Sequence, residues 1–209
     1  MKYSLSNTAS KTLIKEELGV DFKYPNIYKP RLKIDGYKEQ TVSIITMDFP
    51  NIITQSIWGI LPQNFEGDWK KFQRLKTTLH VNKTEISENV LYKDALAKRR
   101  CLIIVTGFYT HQLTGKKITS YLVEKTPLRP FYLAGIYNVL EDGFVTCSVL
   151  NTHANSCVAT INNLYEVMPL QIPKILKNIW LDKNTAIKDI NYIVSKPYIT
   201  KFKVQKIAS

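Results

Sequence analysis

The chain has 209 residues, of which 29 are basic and 17 acidic, so its formal net charge is +12. Apolar residues make up 44% of it, close to the roughly 45–50% of ordinary globular domains. This composition excludes a largely disordered or collagen-like chain. The sequence has no run of about 18 apolar residues and no secretory signal pattern, so we expect no membrane association. We therefore expect one cytoplasmic domain over residues 1–209.

The positive charge is spread along the chain rather than confined to a tail. It is densest at Lys70, Lys71, Arg74 and Lys76 and again over residues 98–100. Distributed basic residues on a folded domain favour anionic partners, above all nucleic acid. A general bias toward basic residues is the alternative explanation.

The first half of the chain predicts helices mixed with strands. Ser10 is a suitable N-cap and Gly19 a suitable stop for the first helix. The strands are predicted from runs rich in β-branched residues. The predicted elements are a helix over Ser10–Leu18, strands over Thr41–Met47 and Gln55–Leu61, a basic helical turn over Trp69–Leu75 and a helix over Leu91–Arg99.

The second half is dominated by strand patterns. Cys101–Tyr109 (CLIIVTGFY) is the strongest of them, and the turn at residues 114–116 predicts a hairpin with Thr119–Glu124. The remaining predicted elements are a hairpin of Phe131–Val139 with Gly143–Asn151, helices over Thr152–Asn163 and Pro173–Trp180, and an edge strand over Ile193–Ile207. Together these elements predict a β-rich α+β domain with helices at its rim.

The cysteines predict neither a disulfide framework nor a metal site. Cys101, Cys147 and Cys157 are odd in number and widely spaced, and no CxxC pair is present. The three histidines lack metal-ligand spacing. We therefore expect a reducing compartment, no metal, no cofactor and no catalytic cysteine.

Seven segments in fixed order resemble the SRAP family of abasic-site-processing proteins, and together they span about two thirds of the chain. They match the family's WGLIP, TLNARxE, RRCLIPxxGFYEW, AGLW, TxTIxTxxAN, IHxRMPxIL and WL patterns. The matching segments are Ser56–Pro62 (SIWGILP), Thr78–Glu85 (TLHVNKTE), Arg99–His111 (RRCLIIVTGFYTH), Phe131–Asn138 (FYLAGIYN), Thr146–Asn155 (TCSVLNTHAN), Leu164–Pro173 (LYEVMPLQIP) and Trp180–Leu181.

The resemblance implies a single α+β domain around a strongly bent, barrel-like mixed or antiparallel sheet. It also implies binding of single-stranded DNA at abasic sites, in the setting of DNA damage repair and the SOS response. In the family, a cysteine after the initiator Met combines its thiol and α-amine to trap the sugar aldehyde as a thiazolidine. A glutamate and a histidine assist with proton transfer, and self-peptidase activity accompanies the family.

This chain departs from the family at those chemical positions. Lys2 replaces the cysteine, so no thiazolidine can form there, and the α-amine belongs to Met1. Thr110 replaces the glutamate and Tyr165 the histidine, while His80 falls at an asparagine in the ungapped register. Lys2, His80, Thr110 and Tyr165 are therefore the candidate catalytic positions. Three of them also have a structural alternative. Lys2 is then an ordinary exposed lysine, His80 a partly buried histidine and Tyr165 a packing aromatic residue.

A second set of residues is a candidate for contacts to DNA. Aromatic rings can stack on bases, and basic side chains make salt-dependent contacts to phosphates. The alternative is an ordinary solvated helix face. The candidates are Tyr3, Phe65, Trp69, Lys70, Lys71, Arg74, Asn82 and Lys83.

Three functions remain open from the sequence. The first is a monomeric protein that binds single-stranded or abasic DNA without a covalent bond. The second is a lyase or crosslinker that uses an amine, from Lys2 or from Met1, to form a Schiff base with the abasic aldehyde. The third is a protein-interaction module that has kept the fold and lost any role with DNA.

Overall fold

Local signals place the first helix where the sequence predicts it. A computed structural model describes residues 4–196, 198 and 201–207 of the chain. Helix α1 (Lys11–Leu18) begins after Ser10, whose side chain accepts a hydrogen bond from the Leu13 N–H, and ends at Gly19 in the left-handed conformation. Its buried residues, Ile14 and Leu18, lie one turn apart and attach the helix to the core.

The described residues form both helices and strands, which confirms the expected α+β class. The further helices are α2 (Trp69–Leu75), α3 (Lys83–Glu88), α4 (Val90–Lys98), α5 (Ser156–Ala159), α6 (Lys177–Leu181) and α7 (Ile187–Ser195), with 3₁₀ turns at Gly36–Lys38 and Lys174–Leu176. The strands are β1 (Ser4–Asn7), β2 (Asp21–Phe22), β3 (Arg31–Asp35), β4 (Thr41–Thr46), β5 (Ile52–Trp58), β6 (His80–Val81), β7 (Arg100–Val105), β8 (Gly107–Thr114), β9 (Lys117–Lys125), β10 (Phe131–Val139), β11 (Val145–His153), β12 (Val167–Pro169), β13 (Gln171–Ile172) and β14 (Phe202–Lys206).

Five strands of the larger sheet close into a ring, as the expected barrel-like sheet requires. Antiparallel pairing runs in the order β11, β10, β7, β4 and β5. Parallel pairing of Thr146 with Ile57 and of Cys147 with Trp58 then joins β11 back to β5. The short strand β6 adds to β11, also in parallel, with His80 opposite Val149.

The smaller sheet is entirely antiparallel, in the order β14, β9, β8, β1 and β3. In the larger sheet, every residue of β7 is buried because both faces of the strand are covered, which accounts for its continuous apolar sequence. Apolar side chains on both faces of the ring form the core, with Trp180 on one side and Trp58 on the other.

The segment Cys101–Tyr109, predicted as one strand, is two strands in different sheets. The chain leaves the ring after Val105 and enters the smaller sheet at Gly107. Thr106 lies at the change, where its N–H donates to the Ser6 carbonyl at 2.8 Å and its hydroxyl accepts from the Thr8 N–H at 3.1 Å. The apolar pattern continues through the change because both sides of it are buried, so the pattern alone does not reveal it.

Two further predicted elements are wrong in part. The helix over Thr152–Asn163 is reduced to α5, because Thr152 and His153 continue β11 and pair with β12. In the tail, Ile193–Ser195 still belongs to α7, and only Phe202–Lys206 forms the expected edge strand, paired with β9.

Candidate functional site

One cavity brings together three of the four candidate catalytic positions. His80 comes from β6, Thr110 from β8, and Tyr165 from the segment before β12. Ser4 and Asn151 also line it, from β1 and β11. The cavity holds about 500 Å³ of empty space, part of it open to solvent. The fourth position, Lys2, lies outside the described residues, as does the DNA-binding candidate Tyr3.

His80 is held in one tautomer by Asn151. The His80 Nδ1 atom lies 3.1 Å from the Asn151 Oδ1 atom. Since an amide oxygen only accepts, Nδ1 carries the proton and Nε2 carries the lone pair of the neutral ring. Burial lowers the pKa of His80 to about 4, and the Asn151 bond offsets this in part. The ring is therefore neutral at neutral pH and acts as an acceptor at Nε2.

The same asparagine connects the cavity to helix α3. The Asn151 Nδ2 atom donates to the Asn82 Oδ1 atom at 3.1 Å. Asn82 precedes α3, and its backbone N–H donates to the Glu85 carboxylate at 2.7 Å. Asn82 and the following Lys83 are exposed and do not line the cavity, so Asn82 acts on it through Asn151.

The segment that carries His80 is fixed from below by Trp58. The Trp58 indole N–H donates to the carbonyl of Leu79 at 2.8 Å, and its ring meets the His80 ring edge-on with centroids 5.5 Å apart. The next residue, Gly59, has φ +115°, and a Cβ there would lie 2.7 Å from the Gln73 Nε2 atom. The WG pair of the sequence therefore builds the support under the cavity.

Gln73 holds the other end of that segment. Its amide donates to the Thr78 hydroxyl at 2.7 Å and accepts from the Thr78 N–H at 2.8 Å. The Thr78 hydroxyl in turn donates to the Ile60 carbonyl at 2.7 Å. Residues 78–80 are thus tied to β5 and α2, which positions the His80 ring.

Among the other lining positions, Thr110 and Tyr165 have neither a carboxylate nor an imidazole, while His111 adds a second imidazole ring. Thr110 is buried on β8 opposite Tyr121 and has a hydroxyl in place of a carboxylate. Tyr165 is 41% exposed at the rim. No Asp, Glu, Lys, Arg or Cys stands among the described residues that line the cavity. The arrangement suits a neutral polar group such as a sugar.

Helix α2 presents the exposed basic residues that the sequence singles out. The Asp68 side chain caps it by accepting from the Lys71 N–H at 2.7 Å. Lys70, Lys71 and Arg74 are exposed, and none of them takes part in an ion pair with any described residue. Their charges are therefore available to an external anion.

The expected stacking surface at Trp69 is wrong, because Trp69 is only 5% exposed. Trp69 and Gln73 form the inner face of α2, and Gly59 leaves room for the Trp69 ring. Phe65 is partly buried and packs against Phe72, with ring centroids 5.0 Å apart. Of Phe65 and Trp69, Phe65 therefore has the larger exposed part and is the one still able to stack on a base.

Tyr37 links the cavity rim to the basic helix. Its turn, Gly36–Lys38, packs against α2. Burial, the nearby Tyr165 and Asp35 raise the pKa of the Tyr37 phenol, so the Tyr37 and Tyr165 phenols are close enough to interact. Lys33 adds a cation beside this surface, with its Nζ atom 5.8 Å from the centroid of the Tyr109 ring. Neither Tyr37 nor Lys33 stood out in the sequence, because nothing local marks them.

None of the three cysteines is among the described residues that line the cavity. Cys101 and Cys147 are fully buried, and burial raises the pKa of the Cys147 thiol to about 12 and that of Cys101 well above its usual range. Cys157 is partly buried. That none of them is catalytic stays a prediction.

Asn151 is the cavity residue that the sequence reasoning missed. It lies in TCSVLNTHAN, a quoted segment, but nothing in that pattern separates it from its neighbours. Its position on β11 two residues beyond Val149, which pairs with His80, is the signal that identifies it once the pairing is known.

Comparisons with known proteins agree with this fold. A model described as SOS response associated peptidase (SRAP) matches residues 2–209. The chain therefore belongs to the SRAP family. The expected family membership is confirmed.

One curated relative of this SRAP chain is the abasic site processing protein YMR114C of Saccharomyces cerevisiae. It is 24% identical over 94 residues, which are 44% of this chain and 25% of the yeast protein. The chain thus matches only a quarter of that relative's length.

Solved structures share the SRAP chain's fold. A protein from Bacteroides thetaiotaomicron has a TM-score of 0.86 at 21% identity, covering 98% of this chain and 91% of the other. A protein from Bordetella bronchiseptica has a TM-score of 0.81 at 12% identity, covering 99% and 100%. At these identities the likeness concerns the fold.

Two further findings concern possible sites elsewhere in the SRAP chain. No helix within the described ranges is long and apolar enough to cross a membrane. The same residues contain no group of three or more His, Cys, Asp and Glu side chains placed to hold a metal ion.

Proposed function

We propose that this SRAP chain binds single-stranded DNA at abasic sites and holds the lesion without a permanent covalent bond. Family membership and the similarity to a yeast abasic site processing protein support a role in the response to DNA damage. The observation that carries the finer proposal is the polar cavity, whose described lining combines His80, Thr110 and Tyr165 and contains no acidic residue, lysine or arginine.

The chemistry of the cavity fits a base-free sugar better than an anion or a cation. Its hydroxyl, amide and imidazole groups offer hydrogen bonds to sugar oxygens, and none of the described residues that line it is an Asp, Glu, Lys or Arg. The family's carboxylate and imidazole positions are Thr110 and Tyr165 here. A cavity of this kind binds more readily than it catalyses proton transfer.

The surface beside the cavity supplies the charge that a DNA strand needs. From the rim at Tyr165 it continues through Tyr37 to helix α2, where Lys70, Lys71 and Arg74 face solvent. A strand with its abasic sugar in the cavity would pass its neighbouring phosphates over these residues. Electrostatic contacts of this kind dominate affinity for single strands.

The test compares the protein's affinity for two oligothymidylates of 15 nucleotides, one unmodified and one with a central tetrahydrofuran site. Tetrahydrofuran has no aldehyde, so it measures binding alone. We expect the abasic strand to bind about three- to tenfold more tightly, the range that one or two sugar hydrogen bonds would give. Tyr165→Ala should reduce this preference, and His153→Ala, an exposed control, should not.

Either of two results would contradict the proposal. Equal affinity for both strands would show that the cavity does not receive the lesion. Absence of binding to either strand at low salt would remove the role with DNA and favour the protein-interaction module.

A second candidate function is an imine-forming lyase that uses the Lys2 amine. Ser4 and Leu5 line the cavity, and Lys2 precedes Ser4 by two positions in the sequence. The Lys2 Nζ atom would add to the C1′ aldehyde and water would leave. Loss of a C2′ proton would then form the C2′–C3′ double bond and expel the 3′ phosphate with the C3′–O electron pair.

Borohydride separates this candidate from simple binding, because it reduces an imine to a stable amine. Incubation with true abasic DNA should give a covalent band only with borohydride, and Lys2→Ala should abolish it. A band that survives denaturation without reductant would contradict the imine. Absence of any band would leave binding alone.

A further inference from the structure

A large groove lies between helices α3 and α4 on one side and α7 on the other. Its floor is apolar, since Ile86, Leu96 and Val194 are all buried there. On the α7 wall, Ile187 and Tyr192 remain 47% and 59% exposed. The groove holds about 850 Å³, near the upper end of the roughly 300–1,000 Å³ of ligand sites. Its walls are helices, so it can receive the apolar side chains on one face of a further helix.

The rim of the groove is positive. Lys83, Lys93 and Lys188 line it, and none of the described lining residues is acidic. No described carboxylate forms an ion pair with these three lysines. Asp94, next to Lys93 in sequence, is instead bound to Lys98 at 2.9 Å and Arg99 at 2.5 Å. Three cations thus surround an apolar floor with no counterion.

We propose that this groove docks an acidic amphipathic helix of a protein partner. The apolar face of such a helix would cover the exposed parts of Ile187 and Tyr192 above the apolar floor, and its carboxylates would meet the three lysines. A nucleic acid fits this surface less well, because its phosphates would lose water over an apolar floor that offers them no hydrogen bonds.

Helix α3 connects this groove to the cavity. Its first turn begins at Asn82, which accepts a hydrogen bond from Asn151, the residue that holds His80. Its side, at Lys83 and Ile86, forms part of the groove. A docked partner therefore contacts the same six-residue helix that is tied to the cavity.

The probe is a synthetic 16-residue fluorescent peptide with leucines at positions i, i+3, i+4 and i+7 and glutamates elsewhere. Two matched peptides replace its glutamates by lysines or its leucines by serines. Fluorescence anisotropy with the full chain should show binding of the acidic amphipathic peptide at least about tenfold tighter than of either matched peptide. The double variant Lys93→Glu, Lys188→Glu should weaken it about tenfold or more, as should Tyr192→Ala.

The double variant Lys116→Glu, Lys117→Glu, at the exposed turn between β8 and β9, is the matched control of equal charge change and should leave the peptide's affinity unchanged. Equal binding of the acidic and basic peptides, or binding that the groove variants do not alter, would overturn the proposal. So would no binding of the acidic peptide. A single-stranded oligonucleotide whose binding is lost with the same groove variants would assign the groove to nucleic acid instead.

Discussion

The side chains of Arg100, in strand β7, and Trp180, in helix α6, each donate a hydrogen bond to a backbone carbonyl of the other's element. The Arg100 Nε atom donates to the Trp180 carbonyl at 2.7 Å, and the Trp180 indole N–H donates to the carbonyl of Cys101 at 2.9 Å. The Arg100 guanidinium also donates to the carbonyls of Leu96, Ala97 and Asp182. One buried cation thus joins the end of α4, strand β7 and the end of α6.

Replacement of Arg100 should therefore destabilise the whole domain. Arg100→Ala leaves four carbonyls without their donor and opens a space in a fully buried region, so the free energy of unfolding should fall by about 3–5 kcal/mol. For a domain of this size the melting temperature would drop by roughly 6–20 °C. Calorimetry measures this directly.

Arg129→Ala is the matched control, because Arg129 is exposed and forms a surface ion pair with Glu17 at 3.3 Å. Such pairs contribute less than about 1 kcal/mol. An Arg100 variant as stable as this control would show that the buried guanidinium is not a structural requirement.

Acidification should weaken the fold through His80. The pKa of His80 is lowered to about 4 in the folded chain from an ordinary 6.5. Below pH 6.5 the unfolded chain takes up a proton that the folded chain resists, so stability is fully present above pH 6.5 and falls toward pH 4. The loss should approach about 2–3 kcal/mol in this window.

His80→Asn removes this titration and should flatten the pH dependence between pH 6.5 and 4. His153→Asn, at an exposed site, should leave it as in the parent chain. Urea unfolding at several pH values gives both curves. An unchanged slope in His80→Asn would refute the assignment of the pH dependence to this ring.

Neutralising helix α2 should change the salt dependence of DNA binding. Each phosphate contact to a single strand contributes about 0.7 to the slope of log affinity against log salt. Lys70→Gln, Lys71→Gln and Arg74→Gln together should lower the slope by roughly 2, and charge reversal at the same three positions should weaken binding further. Lys188→Glu on α7 is the control, and an equal effect there would mean that net charge alone drives binding.

Replacement of all three cysteines should leave DNA binding intact. Cys101 and Cys147 are fully buried with no access to the cavity, so serines there cost stability by burying hydroxyl groups. A matched triple alanine variant avoids those hydroxyls and keeps the comparison informative if the serine variant is too unstable. Loss of DNA binding by a folded triple variant would assign a role to one of the thiols.

The sequence predicts elements whose determinants are local. Ser10 and Gly19 bound α1 because each acts on the backbone within one turn. The change of sheet at Thr106 escapes prediction because burial on both sides gives one continuous apolar pattern. The sequence predicts an exposed Trp69, whereas its ring is buried against Gly59, ten residues earlier. That burial depends on a tertiary contact, the close approach of the ring to a residue without a side chain, which no local pattern reveals.

For the candidate site, the sequence likewise predicts the positions of the residues but not their chemistry. The positions of His80, Thr110 and Tyr165 followed from motif order, and the structure places them around one cavity. Their chemistry depends on contacts between distant residues. The bond that selects the His80 tautomer joins residues 71 positions apart, and the pKa follows from a burial that no local pattern reports.

Because the β-ring is closed, we expect local unfolding to cost more free energy in its strands than in helix α7. The backbone amides of β10 and β11 lie in ladders inside the ring, so we expect them to exchange hydrogen with water only when the domain unfolds as a whole. Helix α7 has no strand partner and leaves two apolar side chains uncovered, and its amides should exchange through local opening. The cavity floor would then stay rigid while the groove wall opens, which separates a preformed site from an adaptable one within a single chain.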